Sequence, residues 1–168
     1  LKAAYGDKVL EAKLEGVPDP FVKVAPAAVY DIAAFLRNDP ALEFDFLMCL
    51  SGTDNGKNML GVVYHLYSMT QRHKITVKTE VPRDAATVPT VSAIWPTANW
   101  HEREAYDMFG IVFEGHPDLR RILMWDGFKD YPMRKDYVEP DDYEYEPTPH
   151  DDVLEKAKAH LPKQEVKA

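Results

Sequence analysis

LGVVYHLYSMTQRHKITVKTEV, residues 60–81, decides the fold of this chain. Residues 60–69 are mostly apolar and aromatic, as a strand buried on one face and half-covered on the other would be. After Thr70-Gln71-Arg72, the residues Ile75, Val77, Thr79 and Val81 alternate with Lys74, Thr76, Lys78 and Glu80. A period of two is the mark of a half-buried strand, and so short a connection joins antiparallel neighbours. Upstream, Leu42, Phe44, Phe46, Met48 and Leu50 alternate with Glu43 and Asp45, and Thr53-Asp54-Asn55-Gly56 supplies turn chemistry. Three strands in an antiparallel meander follow, closed by Pro82 and Pro89.

Helices flank this core on both sides. Val29, Ile32, Ala33 and Leu36 share one helical face, Pro26 suits the first turn, and Asn38-Asp39-Pro40 ends the helix. An edge strand is expected at 21–24, and a short helix or strand in the first twenty residues. Downstream a short helix at 91–95 and a second at 100–109 are expected. Asn99 and Glu102 read as a capping pair, Arg103 and Asp107 as an ion pair one turn apart, and Gly110-Ile111 as a left-handed C-cap with its apolar contact. The class is therefore α+β: an antiparallel sheet with helices packed on it, in a domain spanning 1–122. Residues 123–168 lose periodicity, carry prolines at 132, 140, 147 and 149, and hold seven acidic residues between 139 and 152. They form either a solvated acidic tail or, given Tyr131, Tyr137, Tyr143 and Tyr145, an extended arm lying along another subunit.

Composition bounds function. The 168 residues suit one domain, and the net charge of −8 opposes a nucleic-acid backbone. The longest apolar run covers only residues 46–50, so a soluble chain with membrane contact only through partners is expected. Leu1 is not an initiator methionine, so a few residues are expected to be missing or processed. Cys49 is the single cysteine; it reads as a core filler and cannot by itself hold an iron–sulfur cluster.

No motif announces catalysis. His101-Glu102 lacks the second histidine a zinc-protease helix requires, since residue 105 is alanine. Gly110 and Gly115 have phosphate-loop spacing, but His116-Pro117 stands where Lys-Ser/Thr is needed, and no G-x-G-x-x-G occurs. Ser51, Ser68 and Ser92 sit in no nucleophile elbow. His65 and His73 flank a turn and read as satisfied surface residues. His116, in a rigid Gly-His-Pro-Asp turn, suits either a structural hydrogen bond or a general base. A metal-dependent hydrolase using His101, Glu102, Glu104 and His116 is the alternative from another class. Beyond these, Arg120, Arg121, Lys129, Arg134 and Lys135 are interleaved with Asp118, Asp126, Asp130 and Asp136. Such balance indicates an ion-pair network that docking partly buries.

Glu102-Arg103-Glu104-x-x-Asp107-x-x-Gly110-Ile111, then Gly115-His116-Pro117-Asp118-Leu119-Arg120-Arg121-Ile122-Leu123, and Pro132-Met133-Arg134-Lys135-Asp136-Tyr137 resemble the signature of a respiratory complex I family. That is the thirty-kilodalton subunit family of NADH:quinone oxidoreductase. Trp95-Pro96-x-Ala98-Asn99-Trp100, Tyr64-His65-Leu66-Tyr67-Ser68 and Val81-Pro82-Arg83-Asp84 also fit it, while Phe128 and Met133 depart from its usual tryptophan and leucine. The resemblance implies a cofactor-free, non-catalytic peripheral-arm subunit of a proton-translocating enzyme, scaffolding the quinone-site subunit. Flavin and iron–sulfur clusters would lie in partner subunits, on the cytoplasmic side of the bacterial membrane or the matrix side in mitochondria. An equivalent subunit of a ferredoxin-driven or hydrogenase relative is the runner-up. Glu102, Arg103, Glu104, Asp107, Gly110, His116, Pro117, Asp118, Arg120, Arg121, Arg134, Lys135, Asp136 and Tyr137 would serve folding and the subunit interface, with Arg120, Arg121, Arg134 and Lys135 supplying interface ion pairs.

Overall fold

A computed structural model describes residues 1–125 and 127–138. In chain order the elements are α1 (Lys2–Tyr5), β1 (Val9–Lys13), β2 (Phe21–Val24), α2 (Val29–Asn38), β3 (Phe46–Gly56), β4 (Met59–Tyr67), β5 (Lys74–Pro82), β6 (Thr87–Pro89), α3 (Ala98–Phe109) and β7 (Val112–Glu114). Most of the acidic arm, including the stretch 139–152, lies outside the described residues.

The α+β class holds. β3, β4 and β5 form the expected antiparallel meander, with Tyr64 opposite both Leu50 and Val77. The five-stranded sheet runs β1-β2-β5-β4-β3, and β2 pairs with β5 in parallel, so the whole is mixed rather than antiparallel throughout. The reason is connectivity. The chain leaves β2 through α2 and returns to the neighbouring position only after β3 and β4. β1 takes the sheet edge that was expected of residues 21–24.

Both long helices cover one face. Val29, Ala33 and Leu36 of α2 lie against Tyr64, Leu66 and Val77. The face of α2 read from spacing is the buried one: Val29, Ile32, Ala33 and Leu36. α3 sits over β3, close enough that a Cβ on Gly52 would come within 2.6 Å of the Phe109 ring and 3.3 Å of Ala105. Gly52 is thus the gap into which the end of α3 settles.

Two local readings of β3 need correction. Phe46 and Met48 point outward, at 48% and 44% exposure, while Leu47 is buried. A bulge does this: Leu47 opposes Leu66 and Cys49 opposes His65, leaving Met48 as an extra residue that resets the alternation. β3 also runs through the expected turn at 53–56. The hairpin is made instead by Lys57 and Asn58, both at positive φ, between the paired Gly56 and Met59. Likewise residues 91–95 form a single turn, not a helix, with the Ile94 and Trp95 amides donating to the Val91 carbonyl.

Candidate functional site: a surface braced by buried carboxylates

α3 carries an unusual load for a helix on a small domain: Glu102, Arg103 and Asp107 are all buried. Charged side chains are buried only when paired or hydrogen-bonded, so each marks a place where another segment has been brought in.

Asp107 holds the loop that follows β7. Its Oδ2 accepts the backbone N–H groups of Ile122, Leu123 and Met124 at 2.9, 2.7 and 3.0 Å, and its Oδ1 accepts Arg121 Nη1 at 2.7 Å. Burial pushes its pKa up, but the bonds from Met124, Leu123, Arg121 and Ile122 overcome this and hold it below the ordinary value. Arg121 is itself enclosed. It donates to the Asp107 and Asp130 carbonyls, and its guanidinium lies 5.5 Å from the Phe128 ring and 5.3 Å from that of Tyr131. The expected Arg103–Asp107 pair does not form, because three consecutive amides plus Arg121 claim the carboxylate. Arg103 turns instead to the Arg120 carbonyl at 3.4 Å and to Asp118 at 3.9 Å, with its guanidinium 4.7 Å from the Trp100 ring.

Glu102 holds the other side. The helix is capped by Thr97 without a side-chain bond, so the expected Asn99–Glu102 capping pair is absent. The Glu102 carboxyl points inward, accepting Val91 N–H at 2.7 Å and lying 2.5 Å from Thr90 Oγ1. Burial raises its pKa to about 7, against the Thr90 and Val91 bonds that favour the charged form. Thr90 has a single hydroxyl proton, and Ser92 Oγ lies 2.8 Å from its oxygen. An ionised Glu102 takes that proton; a protonated one donates to Thr90 and releases it toward Ser92. His116, its side chain fully shielded, is 3.8 Å from Glu102. Its Nδ1 accepts Asp118 N–H at 3.0 Å and its Nε2 is 3.1 Å from the Asn99 carbonyl, so the neutral ring carries its proton on Nε2. Both nitrogens serve the loop, which is the structural one of the two readings of His116.

A third carboxylate, Asp54 at the end of β3, was missed by sequence reasoning, which spent it on a turn. Asp54 Oδ2 accepts Arg83 Nη2 at 2.6 Å and Lys135 N–H at 2.9 Å, and Arg83 also pairs with Asp136. The Lys135 amide, with Gly56 N–H and Arg83, outweighs burial and lowers the pKa of Asp54. Arg134 Nε donates to the Phe109 carbonyl at 2.7 Å, its guanidinium 4.2 Å from the Tyr131 ring. Both crowd Gly110, whose φ of 72° gives the expected left-handed cap. A Cβ there would meet Arg134 Nη2 at 2.5 Å and Tyr131 at 2.6 Å.

Of the residues singled out from sequence, then, Glu102, Arg103, Asp107, Gly110, His116, Arg121 and Arg134 brace loops against α3. Arg121 and Arg134 have their partners inside the chain. Pro117, Asp118, Arg120, Lys135 and Asp136 are exposed, as is Glu104 on the other side of the helix; Tyr137 is half-buried. His101 and Glu104 line a cleft beside β3, away from the Glu102–His116 pair. Among the described residues no three His, Cys, Asp or Glu side chains gather as metal ligands. Nor is any described helix long and apolar enough to cross a membrane.

The profile of the family described as "Respiratory-chain NADH dehydrogenase, 30 Kd subunit" matches residues 22–143. The chain belongs to this family. An NADH-quinone oxidoreductase subunit of Chloroherpeton thalassium is 49% identical over 82% of the chain and 58% of its own length. A second such subunit, from Rhizobium meliloti, is 49% identical over 68% of the chain and 63% of its own length. The chain thus spans about six-tenths of the length of these relatives. Among solved structures, a trypsin-resistant fragment of Nqo5 (residues 1–134 of that protein) is 32% identical with a TM-score of 0.58, covering 65% of this chain and 89% of the fragment. A chain of an archaeal membrane-bound sulfane sulfur reductase shares the fold at 24% identity and a TM-score of 0.67, over 97% of this chain and 92% of its own. The bracing positions Glu102, Arg103, Asp107, Gly110 and His116 all fall inside the family match.

Proposed function

We propose that this 30-kDa-family chain is a cofactor-free, non-catalytic subunit of the peripheral arm of a proton-translocating NADH:quinone oxidoreductase, where it scaffolds the quinone-site subunit. Flavin and iron–sulfur clusters belong to its partners, and the chain reaches the cytoplasmic face of the membrane, or the matrix face in mitochondria, through them. One observation carries the docking role: the buried carboxylates hold irregular backbone rigid while turning large side chains outward. Leu123, Trp125 and Met133 are 60%, 56% and 58% exposed, and Arg120 extends beside Asp118. Loops without regular structure normally move; these are pinned, and a pinned surface with apolar anchors and a charged rim binds without a large ordering cost. The body at 1–122 supplies the brace and the arm at 123–168 supplies the reach. Identity of 49% to NADH-linked subunits favours that enzyme over hydrogenase or ferredoxin-driven relatives of the same fold.

The test uses the native assembly. Because Arg121 is internal and Trp125 packs edge-on against the buried Phe128, Arg120→Glu with Leu123→Ser, at two exposed side chains, is the appropriate probe. It should reduce recovery of the partner subunits on purification at least tenfold while thermal unfolding of the isolated chain stays within about 2 °C, since exposed ion pairs contribute little. Full recovery and undiminished quinone reductase activity would refute the docking surface.

A further inference from the structure

The outer side of β3 is an edge of the five-stranded sheet with no described strand beside it. β3 has eleven residues and, among the described residues, pairs only with β4 and terminates the sheet. No described backbone or side-chain bond reaches its outer edge between residues 46 and 53; the first contact is the Lys135 amide on the Asp54 side chain. Exposed edges are normally guarded by lysine, proline or a covering segment. Residues 46–52 read FLMCLSG, with no charge and no proline.

The space beside this edge is shaped. α3 overhangs β3 and leaves a cleft of about 360 Å³ lined by Cys49–Gly52 of β3, by His101, Glu104, Met108 and Phe109 of α3, and by Met133. Positions 101, 104, 105 and 108 recur at helical spacing, so one stripe of α3 faces the cleft. A floor of four strand residues is about 13 Å long, the reach of an equally short extended segment. Glu104 in this lining is exposed and without a cationic partner among the described residues.

We propose that a short extended segment of a neighbouring subunit adds to β3 as a sixth strand beneath α3, presenting an arginine or lysine to Glu104. The inference rests on the assembly reading above and names a contact that adjoins the 118–133 surface at Met133. Charge argues for a basic occupant. Residues 139–152 of the chain's own arm carry seven acidic residues and no lysine or arginine, and would set carboxylates against Glu104; the arm's lysines at 156, 158, 163 and 167 make its last segment the competing occupant, which the dilute isolated chain tests. A second copy joined edge to edge would bring two chains of net charge −8 together. A basic strand from another polypeptide satisfies both the backbone row and the carboxylate.

Amide hydrogen exchange on the full chain, alone at high dilution and in the native assembly, tests this. The outward-facing amides of residues 46–52 should exchange at least tenfold more slowly in the assembly, and Glu104→Lys should abolish most of that protection. Unchanged exchange at 46–52 while 118–125 becomes protected would overturn the added strand and leave the assembly reading standing. Unchanged exchange everywhere would overturn both. Protection already present in the dilute isolated chain would assign the edge to the chain's own tail, and protection that grows with its concentration would assign it to a second copy; each overturns the proposal.

Discussion

Replacing Asp107 with asparagine keeps the shape of the side chain and removes one charge, which isolates the electrostatic part of the brace. Asp107 has no exposed surface and offers four acceptor contacts: three amides on Oδ2 and Arg121 on Oδ1. An asparagine oxygen can keep the amides or the guanidinium, not both, and the NH2 group would face donors in either orientation. Removing one partner of a buried pair costs about 3–5 kcal/mol, since the other charge is left in a poor environment. Arg121 retains the Asp107 and Asp130 carbonyls and two rings, which places the expected loss near the lower limit, about 3 kcal/mol. For a chain of this size that corresponds to roughly 6–12 °C in Tm. The assay is thermal and urea unfolding of the full chain, with limited proteolysis of the 121–125 loop; Asp118→Asn, at an exposed pair, serves as the control and should shift Tm by under about 2 °C. A loss in Asp107→Asn no larger than the control would show that the amide-filled carboxylate does not hold the loop. The pH dependence has a definite sign. A lowered folded pKa means this stability is present above about pH 4, the unfolded value, and disappears as pH falls through the folded one.

Glu102 should behave in the opposite way: with a folded pKa near 7 against 4.5 unfolded, its contribution is complete below about pH 4.5 and is lost as pH rises to about 7. Urea titrations of wild type and Glu102→Gln across pH 5–8 should show the variant gaining relative stability by up to about 3 kcal/mol as pH rises, and parallel curves would refute the assignment. Tyr64→Phe should stabilise the chain or leave it neutral, by up to about 1 kcal/mol, because the Tyr64 hydroxyl is buried without a described hydrogen-bond partner; a drop of several degrees in Tm would mean that hydroxyl is satisfied after all. Gly110→Ala should lower Tm by at least about 5 °C, combining left-handed strain with the Tyr131 and Arg134 contacts, and a wild-type Tm would show those side chains yielding freely.

What was legible in the sequence was whatever is periodic and local. The buried face of α2 and the β4–β5 alternation follow from side-chain spacing alone, and so did the cap at Gly110. β3 was read in the wrong phase because one bulged residue, Met48, reverses the faces, and nothing in an apolar run marks which residue is the extra one. The site failed for a different reason. Spacing gave Arg103 and Asp107 to each other because they are one turn apart, while the real competitors lay downstream: the Arg121 guanidinium fourteen residues on, and three bare backbone amides fifteen to seventeen residues on, which have no sequence signature. Family resemblance marked the same residues and assigned Arg121 and Arg134 to interface ion pairs, whereas both side chains have partners inside the chain. The geometry then divides a single dense run of charge into two roles by exposure. Charges on the inner stripe of α3 are receptors for the chain's own loops, so polarity on that helix reports docking within the molecule rather than solvent. What faces outward is what those loops have been fixed to display. On the proposed docking role, a partner would meet Arg120, Leu123, Trp125 and Met133 without touching Glu102 or Asp107, and a change at a buried carboxylate would disturb assembly by loosening the surface rather than by removing a contact.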